Sequence, residues 1–193
     1  MSEARGRTDP RIERSRQVIR QAAVDELGAA GYGAFTIESV AARAGVAKST
    51  IYRHWPDKLA LIADTFETFH EHAVPDIRGA SPRERVELLV RHVAQIVADS
   101  PFSACIPALI EGAERDRRVR EFHHRYSAVR RQSLIDVIAE GVAAGEFSPD
   151  ADPALAAQAL LGAIFYGRLM AGRPFEPRRT RDLVAMVLPG PGA

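Results

Sequence analysis

Apolar residues recur at intervals of three and four along almost the whole chain, and this spacing predicts helices. Five helix starts stand out in the sequence: Asp9-Pro10, Lys58, Ser81-Pro82, Asp116 and Asp152-Pro153. Where proline follows Asp or Ser, the polar side chain can cap the helix while proline occupies its first turn. The pattern indicates an all-α protein.

Glycine and proline predict where these helices end. The first helix is expected to end at Gly28 and Gly31, and the last helix is expected around Leu183 to Leu188. Pro107 has two interpretations, a kink or the true start of a helix, and the sequence does not separate them. The periodicity also predicts inward positions that the structure can test: Ile12, Val18, Val129, Leu155, Tyr166 and Met170.

The segment from about residue 37 to 56 has the spacing of a helix-turn-helix unit. Val40, Ala41 and Ala44 fall on one helical face, and Gly45 can adopt the positive φ of a tight turn between two crossed helices. Ile51 then follows as an apolar plug under the second helix. The segment is therefore predicted to present its second helix outward.

Side chains on that outward face have the chemistry of a DNA contact surface. Hydroxyl donors, an aromatic hydroxyl and cations reach base edges and phosphate oxygens in a major groove. Thr36 is predicted to cap the first helix close to a phosphate, and Lys58 follows the capping residue Asp57 at the positive end of a new helix. The predicted DNA-binding residues are Thr36, Lys48, Ser49, Thr50, Tyr52, Arg53, His54 and Lys58.

The run from Gly45 to Lys58, G-V-A-K-S-T-I-Y-R-H-W-P-D-K, closely resembles the signature of the TetR/AcrR family of bacterial transcriptional regulators. The resemblance implies a DNA-binding domain over residues 1–57 and a larger helical ligand-binding and dimerisation domain over 58–193. It also implies that the last two helices form a four-helix bundle with their copies in a second subunit. Ala47 departs from the family pattern, which often has a capping Ser at that position, and losing such a cap costs about 0.5–2 kcal/mol.

Charge and cysteine content change this picture only a little. The net charge is +1, but residues 1–60 carry ten Lys or Arg against seven Asp or Glu, so the positive excess lies with the DNA-binding segment. The single Cys105 excludes an internal disulfide. No export signal or long apolar run is evident, which predicts a cytoplasmic protein with no membrane partner.

A small-molecule pocket is expected in the larger domain, because the resemblance implies one and several aromatic and polar residues are predicted to face inward. Each of these residues could instead be ordinary core packing, and Cys105 is most simply a small buried hydrophobe. The candidate ligand-binding residues are His92, Phe102, Cys105, Leu109, Phe122, His123, Tyr126, Phe165, Tyr166 and Met170.

Two short patterns in the sequence also allow a metal-binding interpretation. Two Glu-x-x-His pairs, Glu67 with His70 and Glu121 with His124, resemble half of a di-iron helical site that would also need Glu87 and Glu111. Such pairs arise often by chance in polar helices, and no hydrolase, phosphate-loop or zinc-protease pattern is evident. We predict no metal, no cofactor and no catalysis.

The sequence thus predicts a homodimeric repressor that binds a palindromic operator in double-stranded DNA and is released by an unknown small-molecule effector. A dimer is favoured because one helix-turn-helix makes too few base contacts for high specificity. Two alternatives remain open, a ligand-independent or architectural DNA-binding protein and the di-iron protein.

Overall fold

The computed structural model describes residues 10–71 and 75–192, with the side chains of 69–71 outside the description. Residues 1–9, which include the predicted capping residue Asp9, therefore lie outside the described residues. The described part is helical with no strand, which confirms the all-α prediction. Its helices are α1 (Pro10–Ala34), α2 (Ile37–Ala44), α3 (Lys48–Tyr52), α4 (Lys58–Glu71), α5 (Pro82–Asp99), α6 (Cys105–Arg115), α7 (Arg117–Ala143), α8 (Pro153–Leu169) and α9 (Thr180–Val187), with 3-10 turns at Pro101–Ala104 and Pro177–Arg179.

Side-chain caps begin most of these helices where the sequence predicts them. Ser81 accepts a hydrogen bond from the Glu84 N–H at 3.3 Å, and the Glu84 carboxylate accepts one from the Ser81 N–H at 2.9 Å. Asp152 caps α8 by accepting from the N–H groups of Ala154 and Leu155 at 2.8 and 3.1 Å. These bonds satisfy amide groups that have no partner inside the helix.

The first helix continues past Gly28, the first of the two glycines predicted to end it. A Cβ atom at Gly28 would lie 2.9 Å from the Cβ of Ala104, so this glycine allows a close approach between two segments. The helical geometry breaks only at Gly31, whose φ of 76° and ψ of 171° interrupt α1 before its last turn. Glycine therefore has two different roles three residues apart.

Two further predicted boundaries are settled by the structure. Pro107 lies in the first turn of α6, which begins at Cys105, so it marks a helix start and not a kink. The last helix begins at Thr180 and ends at Val187, three residues earlier than predicted at its start. Thr180 is buried, and its hydroxyl donates to the Pro177 carbonyl at 2.7 Å.

Apolar side chains form two cores. The N-terminal core joins α1 to α4 with the 3-10 turn, α6 and the beginning of α7, through residues including Ile19, Leu27, Phe35, Val40, Ile51, Trp55, Leu61, Phe66, Phe102, Leu109 and Phe122. The C-terminal core joins α5, the second half of α7, α8 and α9, through residues including Val86, Val90, Leu134, Ile138, Phe147, Ala157, Leu160, Ile164, Val184 and Leu188. The N-terminal core contains residues from both sides of the predicted domain boundary between residues 57 and 58. That boundary stays a prediction.

Several residues predicted to face inward are exposed instead. In the part of the chain that the structure describes, Ile12, Val18, Val129 and Leu155 are 43%, 46%, 65% and 64% exposed. Periodicity identifies an apolar face but does not say what covers it.

Candidate DNA-binding surface and effector region

The turn of the helix-turn-helix unit is held by backbone and side-chain hydrogen bonds. Thr36 caps α2 by accepting from the Ser39 N–H at 3.0 Å, and Ser39 accepts from the Thr36 N–H at 3.2 Å. Gly45 ends α2 in the left-handed conformation, with φ 66° and ψ 33°. The Val46 N–H then donates to the Ala41 carbonyl at 3.0 Å. These bonds fix the angle at which α3 leaves α2.

The underside of α3 is anchored by two buried side chains. Ile51 is fully buried in the N-terminal core, and the Trp55 indole donates through Nε1 to Asp64 Oδ2 at 2.9 Å. Ala47, at the N-cap of α3, makes no side-chain hydrogen bond. The five-residue α3 is therefore held by packing beneath it and by the turn before it, without a side-chain cap of its own.

Asp64 is the centre of a polar network behind α3. Its Oδ2 atom also accepts from Arg20 Nε at 2.9 Å, and Arg20 donates to Glu13 Oε1 at 2.9 Å. Burial alone would raise the pKa of Asp64, but the hydrogen bonds from Arg20 and Trp55 outweigh it and lower that pKa. Asp64 is therefore ionised at neutral pH and ties α4 to α1.

The eight predicted DNA-binding residues lie on the helix-turn-helix unit and at the start of α4, and none of them is buried. Tyr52 and Arg53 are exposed, while Thr50, His54 and Lys58 are half-buried. The sequence did not predict one ion pair on this surface, in which the Glu38 carboxylate of α2 accepts a hydrogen bond from Lys48 Nζ at 2.8 Å. No local pattern predicts this pair, because the two residues lie on different helices, ten positions apart.

Lys58 lies against the end of α1. Its Nζ atom is 4.1 Å from the centre of the Tyr32 ring and donates to the Tyr32 carbonyl at 3.4 Å. Asp57 caps α4 by accepting from the Ala60 N–H at 2.8 Å, and this bond together with Arg118 lowers the pKa of Asp57. Burial raises the pKa of Tyr32 to about 12, so its phenol is protonated at neutral pH.

The ten candidate ligand-binding residues are divided between the two cores and the surface. Phe102, Cys105, Leu109 and Phe122 are buried in the N-terminal core, with Tyr126 packed against it. The rings of Phe102, Phe122 and Tyr126 all contact the ring of Phe66, at centroid distances of 4.1, 6.2 and 5.6 Å.

The other candidates lie elsewhere. Phe165 packs against the C-terminal core, whereas Tyr166 and Met170 are 63% and 75% exposed, contrary to the inward positions predicted for them. His92 and His123 are half-buried, and burial lowers the pKa of both. Both imidazoles are therefore neutral at pH 7.

Cys105 behaves as a buried packing residue. Its thiol donates to the Val24 carbonyl at 3.3 Å, and burial raises its pKa to about 12. A thiol with that pKa is protonated and unreactive at neutral pH.

An open groove of about 500 Å³ lies between α5 and α7, and the sequence analysis did not predict it. Its lining mixes apolar and charged side chains: Ile77, Arg85, Val129, Gln132, Ser133, Asp136, Val137 and Glu140. The Arg85 guanidinium pairs with the Glu140 carboxylate across it.

Glu87 and Glu121, two of the four carboxylates that a di-iron site would need, pair with arginines. Glu87 pairs with Arg181 at 3.4 Å, and Glu121 pairs with Arg117 at 3.4 Å. Within residues 10–71 and 75–192, apart from the side chains of residues 69–71, no group of three His, Cys, Asp or Glu side chains is placed to hold a metal ion.

Over the same described ranges, no single helix is long and apolar enough to cross a membrane. Only α5 and the segment Pro101–Arg115 counted together, which are bent by 70° relative to each other, reach that length and composition.

An exposed, cation-bearing helix-turn-helix unit packed on a larger helical body defines the class of helix-turn-helix transcriptional regulators. Comparison with known families agrees on both parts of the chain. The family described as "Bacterial regulatory proteins, tetR family" matches residues 19–65, and "Tetracyclin repressor-like, C-terminal domain" matches residues 75–187. The chain belongs to the TetR family of DNA-binding transcriptional regulators, as its sequence signature predicted.

Individual relatives extend over most of the chain. An uncharacterised helix-turn-helix regulator of Bacillus subtilis, YdeS, is 29% identical over 98% of this chain and 95% of its own. The DNA-binding transcriptional repressor TetR of Mycobacteroides abscessus is 30% identical over 84% of this chain and 87% of its own. Among solved structures, Salmonella enterica GusR has a TM-score of 0.76 at 21% identity, covering 94% of this chain and 97% of GusR.

Proposed function

We propose that the protein is a cytoplasmic, homodimeric, non-enzymatic repressor that binds a palindromic operator and is released from it by a small molecule. The observation that carries the proposal is an uncharged, exposed face on α8 in a chain whose DNA-binding unit is solvent-exposed. The name of the Mycobacteroides relative, a transcriptional repressor, supports repression as the outcome.

The exposed face of α8 has the composition of a subunit interface. Leu155, Ala159, Gly162 and Tyr166 follow one another at intervals of four, three and four, and all are exposed. No charged residue occurs between Pro153 and Gly167. Small residues at the centre of the face allow a second helix to approach closely, and flanking large apolar residues supply contact area.

Continuity with α9 strengthens the interpretation. Met186 on α9 is 75% exposed, and α9 is in contact with α8. Exposed apolar side chains on two helices that contact each other favour burial against a second copy of the chain.

The DNA contacts divide by chemistry. Lys58 lies at the N-terminus of α4, where exposed N–H groups and the helix dipole favour a phosphate. Tyr52 presents a hydroxyl that can also bind a phosphate. Lys48 and Thr50 lie on α3, the helix that enters the major groove in this class of protein. We assign the first pair to the DNA backbone and the second pair to base edges.

In this proposal, the protein leaves its operator when the distance between the two DNA-binding units of the dimer changes. An effector that binds one arrangement of the larger domain more tightly shifts the population toward that arrangement. If α4 moves with it, the two α3 helices leave the spacing of roughly 34–36 Å that one turn of DNA demands. Half-buried polar side chains such as His92, His123 and Tyr126 are our candidates for contacts with the effector.

Selection of bound sequences from a pool of random double-stranded DNA tests the proposal. We expect enrichment of a palindrome whose half-sites are centred about 10 base pairs apart or a multiple of that distance. Enrichment of a single half-site, or of no sequence, would contradict the dimeric repressor.

Substitutions at the proposed contacts should separate affinity from specificity. We expect Tyr52→Phe and Lys58→Ala to weaken binding to selected and random DNA alike, since phosphate contacts carry little sequence information. Lys48→Ala and Thr50→Ala should change the preferred bases, with a loss of about 1–3 kcal/mol on the selected sequence. Titration of each variant on both kinds of DNA distinguishes the pairs, and equal losses for all four would refute the division.

A further inference from the structure

Five residues connect the first turn of α4 with the first turn of α7 and the end of α1: Tyr32, Asp57, Lys58, Asp116 and Arg118. We refer to them as the α4–α7 junction. The inference drawn from them rests on the proposed function, specifically on the DNA contact made by Lys58.

Asp57 and Arg118 tie two helix N-termini together. Asp57 uses Oδ1 to cap α4, and its Oδ2 accepts from Arg118 Nη2 at 2.7 Å. The backbone N–H of Arg118 in turn donates to Asp116 Oδ1 at 2.8 Å, which caps α7. The capping residue of α4 is therefore held directly by the second residue of α7.

Tyr32 makes the second connection. Its ring lies against Gly112 of α6, where a Cβ atom would come within 2.7 Å of the ring, and its hydroxyl donates to Asp116 Oδ2 at 3.2 Å. The same ring and its residue's carbonyl hold the Lys58 ammonium. The position of Lys58 thus depends on a side chain that is fixed by α6 and α7.

The exposure of these groups indicates that their contacts position the first turn of α4 and contribute little to the stability of the fold. The side chains of Arg118 and Asp57 are 65% and 39% exposed, so their ion pair is screened by water and salt. An exposed pair of this kind contributes little to stability. A change too small to affect the fold can still alter a binding constant several-fold.

We infer that Arg118 and Tyr32 are positioning residues for DNA binding, which act through Asp57 and Lys58 on the first turn of α4. The first turn of α7 is then the place where a rearrangement of the larger domain reaches the DNA-binding unit. When the ion pair between Arg118 and Asp57 breaks, the Asp57 carboxylate still caps α4. It is then no longer held by α7, and its negative charge is no longer neutralised by Arg118. Both effects weaken the approach of a phosphate to Lys58.

An Arg118→Gln variant of the full chain tests this, with Arg117→Gln as the matched control. Arg117 is the adjacent residue of α7, its side chain is 83% exposed, and its ion pair is with Glu121 of the same helix. Both variants lose one positive charge. On a duplex carrying the selected sequence, we expect Arg118→Gln to weaken binding about two- to fivefold, while Arg117→Gln leaves it unchanged.

Two further measurements separate positioning from structural damage. Thermal unfolding of Arg118→Gln should match that of Arg117→Gln, and hydrogen exchange should be faster only in the first-turn amides of α4. In an Asp57→Asn background, which keeps a side-chain oxygen for the cap, Arg118→Gln should cause little further loss. Tyr32→Phe removes only the hydroxyl bond to Asp116 and should also weaken binding, by about twofold.

Equal affinity of the Arg118→Gln and Arg117→Gln variants would overturn the inference, and so would an undiminished effect of Arg118→Gln in the Asp57→Asn background. If Lys58→Ala bound DNA as tightly as the wild type, the proposed DNA contact would fail as well. Loss of binding in Lys58→Ala with no effect of Arg118→Gln would leave the proposed function standing and reject only the positioning role.

Discussion

Gly162→Arg should convert the proposed dimer to a monomer and lower affinity for the selected DNA sequence by at least about 100-fold, because two linked DNA-binding units gain about 10²–10⁴ in avidity over one. Gly162 lies at the centre of the uncharged face of α8, and a Cβ atom there meets no atom within 4 Å in the single chain. The new side chain therefore has room in the monomer. In a dimer it would place an unpaired charge where two helices meet closely.

The matched control is Ala139→Arg, which adds the same side chain to an exposed helical position on α7, beside Asp136 and Glu140. Sedimentation velocity should give about twice the chain mass of 21.1 kDa for the wild type and for the control, and the chain mass itself for Gly162→Arg. Circular dichroism checks that helical content is retained. A Gly162→Arg variant that remains dimeric, or a control that dissociates, would place the interface elsewhere.

Local chemistry explains why most helix starts were predictable. Thr36, Ser81 and Asp152 are followed by helices in the sequence and form the capping hydrogen bonds expected of them, because a cap requires only residues two or three positions away. Gly28 and Gly31 show where this reasoning stops. One glycine allows Ala104 to approach and the other supplies a positive φ, and a single sequence does not distinguish the two uses.

The predicted DNA-binding residues could be grouped from the sequence for a related reason, since they lie within one short segment. Contacts between segments were not predictable. The Arg118–Asp57 pair joins residues 61 positions apart, and the Lys48–Glu38 pair crosses from one helix to another. Neither pair repeats at a helical interval that would reveal it.

The candidate pocket was the least predictable part. Aromatic residues at helical spacing indicate an apolar face, but the same pattern arises in a packed core and in a subunit interface. Phe122 lies in the first environment, whereas Tyr166 is exposed on the proposed interface. Only the tertiary arrangement separates them.

Gly141→Ala should lower the free energy of unfolding by about 1–3 kcal/mol, the usual effect of forcing an extra methyl group into a packed core. Gly141 lies in the last turns of α7, directly against the Phe147 ring, and a Cβ atom there would come within 2.3 Å of the ring. Phe147 is fully buried, and the Arg83 guanidinium carbon lies 4.7 Å from its ring centre, so the ring has little freedom to move.

Gly33→Ala is the matched control, because Gly33 is also helical and a Cβ atom there meets nothing within 4 Å. Replacing an unconstrained helical glycine by alanine is neutral or stabilising by up to about 1 kcal/mol. Thermal unfolding followed by circular dichroism should therefore show a melting temperature lower by about 5 °C for Gly141→Ala and unchanged or higher for Gly33→Ala. Equal melting temperatures would mean that the chain segment carrying Phe147 is loosely packed. In that case the turn after α7 would contribute little to the C-terminal core.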